Sequence, residues 1–266
     1  MTEKTLSKQD LKISLVQTQL HWENPTANLA MLEEKIFAIN EPTDLIILPE
    51  MFTTGFSMKA EQFAEPMNLT TTRWMKQMAA QTGAVITGSI IIKEGKNYYN
   101  RLFWVTPEAE VDFYDKRHLF RMAKENDVYA GGTKRLVKTI KGWKICPLIC
   151  YDLRFPVWSR NINLDYDLLI YVANWPQVRM YPWDSLLVAR AIENQSYVVG
   201  VNRVGEDGNG FPHSGHSAVI DFAGKVLFRE INNEIIHHHT LERSSLNEFR
   251  EGFPAYLDAD RFMIKH

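Results

Sequence analysis

Three runs of strand-like residues each end in a side chain able to do chemistry. DLIILPE ends in Glu50, VDFYDK in Lys116 and KICPLIC in Cys150. A thiol is a weak nucleophile until it loses its proton, and a nearby base and cation favour that loss. Glu50 has the chemistry to take the proton and return it to a leaving amine. Lys116 can stay cationic and stabilise an oxyanion. If a helix begins at the thiol, the backbone N–H of Tyr151 offers a second oxyanion donor. Each residue also has a plainer reading. A lone Cys at a strand end is more often a small buried apolar group. Glu50, after Pro49, can be a solvated strand terminus. Lys116 lies in the charged run Asp115-Lys116-Arg117, the usual makeup of an exposed loop. Residue type and spacing do not decide between these readings.

The elements that must position the three groups alternate along the chain. LKISLVQT (11–18) reads as a strand. Asn24-Pro25 opens a helix through Ile39, with Leu29, Leu32, Ile36 and Phe37 near helical spacing. DLIILPE is almost wholly apolar, the mark of a strand covered on both faces. A helix is predicted over 70–81, with Gly83 suited to its end. AVITGSIII and YYNRLFWVT flank a turn at 94–96 and predict an antiparallel pair. A strand and loop follow in EVDFYDKRHLF, and another strand in WKICPLIC. A helix from about Pro156 leads into YDLLIYVANW, and an amphipathic helix spans 182–195. SYVVGVNRV and a hairpin around Ala223-Gly224 complete the sheets. Mixed strands with interspersed helices predict a layered α/β protein. No repeat or flexible linker interrupts the pattern, so residues 1–266 are expected to form one domain.

The chain has 266 residues, of which 45% are hydrophobic and 23% charged, with formal net charge −2. Such a length can bury its own core without a metal or disulfide. No basic stripe favours nucleic acid or an anionic membrane. No apolar run approaches the roughly 20 residues that cross a bilayer. The polar N-terminus MTEKTLSKQD lacks the apolar segment of a secretory signal, and with two cysteines the expectation is a reducing cytoplasm. Cys146 and Cys150 on one extended strand are too far apart to bridge.

The wording around the three groups goes further. LPEMF, YDKRHLF and CYDLRFP, in that order, resemble the three motifs of the nitrilase superfamily of carbon–nitrogen hydrolases. The resemblance runs from about Leu11 to Leu241. It implies a four-layer α-β-β-α sandwich with mixed sheets, pairing into a homodimer, and no cofactor. It implies that Cys150 is the nucleophile, Glu50 the general base and Lys116 the oxyanion stabiliser. Members often carry a second glutamate after the lysine motif. Here that position is Glu125 in RMAKEN, expected to orient Lys116 or to help move the proton. Its plainer reading is an exposed loop carboxylate.

HLFRMAKE and CYDLRFPVWSRN resemble the bacterial omega-amidase branch, which implies a small-molecule amide substrate, 2-oxoglutaramate or 2-oxosuccinamate. A guanidinium would bind the distant carboxylate of such a keto acid bidentately. Arg154 is the first candidate, against a structural salt bridge with Asp152; Arg179 is the second. Trp175 is expected to wall the pocket, and His118 to face the site or cap its loop. Rival activities are hydrolysis of a carbamoyl amino acid or a nitrile. A rival of another class is a catalytically silent scaffold. The run His237 to His239 invites a zinc reading, but neighbours on a strand point to alternate faces, and a solvated strand at the sandwich edge is the better expectation. The tail from about 242, with Phe249, Phe253, Tyr256 and Phe262, is expected at a dimer contact.

Overall fold

The computed structural model describes residues 9–260 and 262–264. The first sheet opens with β1 (Leu11–Gln17). Helix α1 (Pro25–Phe37) follows, its N-terminus capped by Asn24, whose Oδ1 accepts the Ala27 N–H at 3.1 Å. Strand β2 (Leu45–Ile47) lies parallel to β1. Helices α2 (Ala60–Phe63) and α3 (Thr70–Thr82) come next. Gly83, at φ +68°, ends α3 in the left-handed conformation that a residue without Cβ adopts at no steric cost. Strand β3 (Val85–Glu94) is parallel to β2, while β4 (Asn97–Val105) and β5 (Val111–Asp115) add on antiparallel.

After the one-turn helix α4 (Glu125–Val128) the chain builds a second sheet. It contains β6 (Lys138–Ile140), β7 (Trp143–Ile149), β8 (Leu168–Ala173), β9 (Tyr197–Asn202), β10 (Val204–Glu206), β11 (Pro212–Ile220) and β12 (Val226–Ile231). Helix α5 (Pro156–Ser159) precedes β8, and α6 (Met180–Asn194) joins β8 to β9. Strand order is β10-β11-β9-β8-β7-β6, with β12 on β11. Strand β13 (Ile235–Leu241) crosses back to pair antiparallel with β1, and α7 (Arg243–Gly252) follows.

Period-two burial explains the layering. Leu11, Ile13, Leu15, Leu45 and Ile47 meet Trp143, Ile145 and their neighbours from the second sheet. The alternate residues Val16, Ile46 and Leu48 meet Leu32, Ile36, Met75 and Met78 of α1 and α3. Helix α6 covers the other side through Trp183 and Leu187. A Cβ on Gly200 would lie 2.7 Å from both, so glycine lets α6 settle close on β9. The result is the four-layer α-β-β-α sandwich with mixed sheets. Among the described residues no helix is long and apolar enough to cross a membrane.

Three local expectations change. The strand over 44–50 stops at Ile47, and Glu50 lies in the turn beyond it. The helix from Pro156 lasts one turn, because Arg160 leaves the helical region at φ −59°, ψ 128°. The histidines lie on the edge strand β13 but are half-buried: His237 stacks on Phe228 at 3.4 Å, while His238 meets Ser14 Oγ at 2.8 Å.

Candidate active site

Strand β7 lies one in from the edge of the second sheet, between β8 and the short edge strand β6, and delivers Cys150 at its end. The chain then turns at once into a 3₁₀ segment, Cys150–Arg154. Cys150 has φ +44°, the left-handed region, which costs a residue with a Cβ about 1 kcal/mol. Such a turn lifts the side chain out of the sheet. Its thiol is 8% exposed and lines a cavity of about 450 Å³.

Strand β5 ends one residue before Lys116, whose backbone N–H donates to Asn100 O at 3.0 Å. Its ammonium is 1% exposed and lines the same cavity. Lys116 Nζ donates to Glu50 Oε1 at 2.9 Å and to both oxygens of Glu125 at 3.0 Å. Both carboxylates are fully buried. Two buried anions survive there only because donors converge on them. Glu50 Oε1 also accepts from Asn100 Nδ2 at 2.8 Å, and Oε2 from the Asn174 backbone N–H at 2.8 Å. Glu125 Oε2 accepts the Phe120 N–H at 2.6 Å.

These neighbours set the proton affinities. Burial alone would lower Lys116, but the Glu125 and Glu50 charges outweigh it and hold the ammonium above its ordinary range. Burial pushes Glu125 up; Lys116 opposes this, Glu50 reinforces it, and the net shift is upward. Burial also pushes the Cys150 thiol well above its usual range, and the adjacent Glu50 charge pushes the same way against Lys116. The resting sulfur therefore carries its proton, and chemistry at it requires a base within reach.

Cys150, Lys116, Tyr151, Arg154, Trp175 and Arg179 all line the cavity. Glu50 and Glu125 lie behind Lys116. The Arg154 guanidinium sits 4.9 Å over the Trp175 ring, and Arg179 sits 5.4 Å over Phe120. The alternative salt bridge from Arg154 to Asp152 is not made. Trp175 is 3% exposed and donates from Nε1 to Arg179 O at 2.7 Å, so it is wall and core at once. His118 stands outside the cavity lining: its Nδ1 meets Asp152 Oδ1 at 2.8 Å and its ring stacks on Phe155 at 3.8 Å. The HLF loop turns this ring back under the Cys150 turn.

Two asparagines went unread in the sequence. Asn100 bridges Glu50 and Glu125, with 2.8 and 3.4 Å contacts. Its signal was an amide within the mostly apolar strand YYNRLFWV. Asn174 also donates from Nδ2 to Glu50 O at 2.5 Å, tying the two turns together. Nothing in ANWP, where it precedes Trp175, marks it for that role. As a whole, the arrangement can hold a carbonyl carbon near a thiol, a base and a fixed ammonium, which is the equipment of acyl transfer.

Comparison with known proteins fits that chemistry. The sequence pattern of the family described as Carbon-nitrogen hydrolase matches residues 12–251. Omega-amidase YafV of Escherichia coli is 46% identical over 255 residues, 96% of this chain and 98% of that protein. The 2-oxoglutaramate amidase of Bacillus subtilis is 31% identical, over 92% of this chain and 96% of its own. The crystal structure of XC1258 from Xanthomonas campestris, a CN-hydrolase superfamily protein, superposes with TM-score 0.95 at 45% identity. That match covers 97% of this chain and 100% of that one.

Proposed function

The chain belongs to the carbon–nitrogen hydrolase family, and from that membership we propose an omega-amidase that works through a Cys150 thioester. It hydrolyses the terminal amide of a small dicarboxylic keto acid, 2-oxoglutaramate or 2-oxosuccinamate, to the free acid and ammonia. One observation carries the mechanism: a buried ammonium shared by two carboxylates opens on the same cavity as the thiol.

Glu50 takes the thiol proton as the sulfur attacks the amide carbon. The carbonyl oxygen becomes negative, and Lys116 Nζ with the Tyr151 N–H donates to it. The intermediate collapses, Glu50 returns the proton to nitrogen, and ammonia leaves behind a Cys150 thioester. Glu50 then takes a proton from water, hydroxide adds to the thioester carbon, and the acid departs as the thiol regains its proton. Glu125 and Asn100 keep Lys116 and Glu50 in place throughout. The ammonium stays charged because its elevated proton affinity keeps the proton on nitrogen.

The charges of the cavity favour an anionic substrate. No ion pair among the described residues uses Arg154 or Arg179, and Arg179 Nη2 donates to the neutral Met122 Sδ at 3.0 Å, so neither charge is neutralised before a substrate carboxylate arrives. The cavity's own carboxylates are already occupied. Glu23 accepts from Ser57 Oγ at 2.7 Å and Lys59 Nζ at 2.6 Å, and Asp207 from the Asn209 and Phe211 N–H groups at 2.8 and 3.0 Å. The test is ammonia release from a panel of omega-amides, carbamoyl amino acids and nitriles. Arg154→Ala should raise KM for keto-acid amides about 30-fold and spare a neutral amide. Turnover confined to carbamoyl compounds or nitriles would overturn the reading.

The same reading has a single-domain protein working in the cytoplasm as a homodimer. Val157 on α5, Ile192 on α6, and Phe253 and Leu257 in the tail are all more than half exposed, an apolar face that a second copy would cover. Phe249 is partly buried beside this face, its ring packed on Phe222 of the same chain at 4.7 Å. Light scattering on Ile192→Asp, expected to yield monomer, checks the pairing.

A further inference from the structure

Asp152 is fully buried and sits two residues past Cys150. It takes part in none of the steps above, yet four donors converge on it. Oδ1 accepts the His118 backbone N–H at 2.9 Å and meets His118 Nδ1 at 2.8 Å. Oδ2 accepts the Tyr114 hydroxyl at 2.6 Å and the Ile149 N–H at 3.1 Å. The Tyr114 oxygen in turn accepts from Trp158 Nε1 and the Arg117 N–H at 3.0 and 3.1 Å.

The sequence positions of these donors matter. Ile149 precedes Cys150 and Asp152 follows it. Tyr114 lies two residues before Lys116 and His118 two after. One carboxylate thus grips the chain on both sides of the sulfur and on both sides of the ammonium, across two different sheets. Cys150 needs such a grip, because its left-handed backbone persists only where its surroundings over-determine it.

We propose that Asp152 is a positioning residue for the amidase reaction, which with Tyr114 and His118 fixes the Cys150 sulfur against the Lys116 ammonium without touching substrate. His118 accordingly serves the reaction from behind the Cys150 turn, not from the cavity. The inference rests on the roles proposed above for Cys150 and Lys116.

The experiment measures kcat and KM for a keto-acid amide, normalised to the Cys150 thiol titrated by iodoacetamide, beside Cys150→Ala. Asp152→Asn sets an amide N–H against groups that donate. It should cut kcat per titrated thiol about 100-fold while KM moves less than about threefold, since misplacement of reacting groups by about 1 Å costs that much. Tyr114→Phe removes one donor of four and should cost about tenfold. His118→Leu should cost a similar factor, and His118→Asn, which can offer an N–H where Nδ1 stood, should recover most of it. A role in stability alone would lower Tm and the titrated fraction but leave kcat per thiol at the wild-type value; that result overturns the proposal. A rise in KM with kcat preserved also overturns it, by returning His118 to substrate binding. If Cys150→Ala keeps its turnover, the underlying mechanism fails instead, and this inference with it.

Discussion

Cys146 and Cys150 share one run of chain and little else. Cys146 lies inside β7, paired across to Leu169 of β8 and sealed in the hydrophobic core. Cys150 lies one residue past the strand end, on a left-handed turn, at the wall of the cavity. Burial pushes both thiols up, Cys146 to about 12 and Cys150 in the same direction. Neither is a resting thiolate at neutral pH. What separates them is company: Cys150 feels Glu50 and Lys116 most strongly, whereas Cys146 feels the more weakly placed Arg135, Asp152 and Asp165. A buried thiol is inert beside hydrocarbon and useful beside a base. A sulfur that keeps its proton until substrate arrives also resists oxidation, while a more basic thiolate is the stronger nucleophile once formed.

The comparison breaks most sharply if the wrong cysteine carries turnover. Cys150→Ala is expected to lower ammonia release by more than about 10⁴-fold, with the melting temperature nearly unmoved. A variant retaining a tenth of wild-type turnover would remove Cys150 from the chemistry altogether.

The company can be removed instead of the sulfur. Lys116→Met takes away the oxyanion donor and should cost about 10³-fold in kcat. It also leaves two buried carboxylates without their cation, a loss of about 3–5 kcal/mol in stability. The pH dependence has a definite sign. Glu125 already has its folded-state proton affinity raised, and without Lys116 the opposing pull is gone. A carboxyl raised in the folded state contributes stability below its unfolded value, near 4.5, and loses it as pH rises through the folded value. The variant's deficit in melting temperature relative to wild type should therefore grow from pH 5 to pH 8. A deficit that shrank over that range would mean Lys116 is not the partner that opposes the upward shift of Glu125.

How much of this was legible depends on the range over which each signal acts. DLIIL announced a strand covered on both faces, because burial on each side selects apolar residues at every position. Gly83 and Asn24 announced helix ends, because caps are local chemistry. Glu50, Lys116 and Cys150 were visible as groups at strand ends, but their meeting was not, since it depends on how two sheets stack. Glu125 was found only through the motif resemblance, as its loop carries no periodic signal. Asn100 was missed for a related reason. On β4 it pairs in register with Ile91, and only the fold brings its amide between two glutamates. Two residues past Lys116, His118 reads equally as facing the site or as capping its loop. A loop is not a strand, and period-two reasoning has no hold on it.

The smallest expected effect lies at Cys146. Cys146→Ala removes one sulfur from a close-packed interior, worth about 1–2 kcal/mol, which for a chain of this size lowers the melting temperature by about 2–8 °C. Ammonia release should stay within about twofold, because the side chain is sealed from the cavity that holds substrate. Iodoacetamide sharpens the contrast further. In the native wild type it should label Cys150 faster as pH rises, with no plateau by pH 9, since the thiol's elevated proton affinity keeps adding thiolate beyond that point. Cys146 should label only as fast as the β7–β8 core opens, which is a property of global unfolding. Equal labelling of the two would mean that the strand end is no more accessible than the strand middle, and the distinction between the two thiols would collapse to sequence position alone.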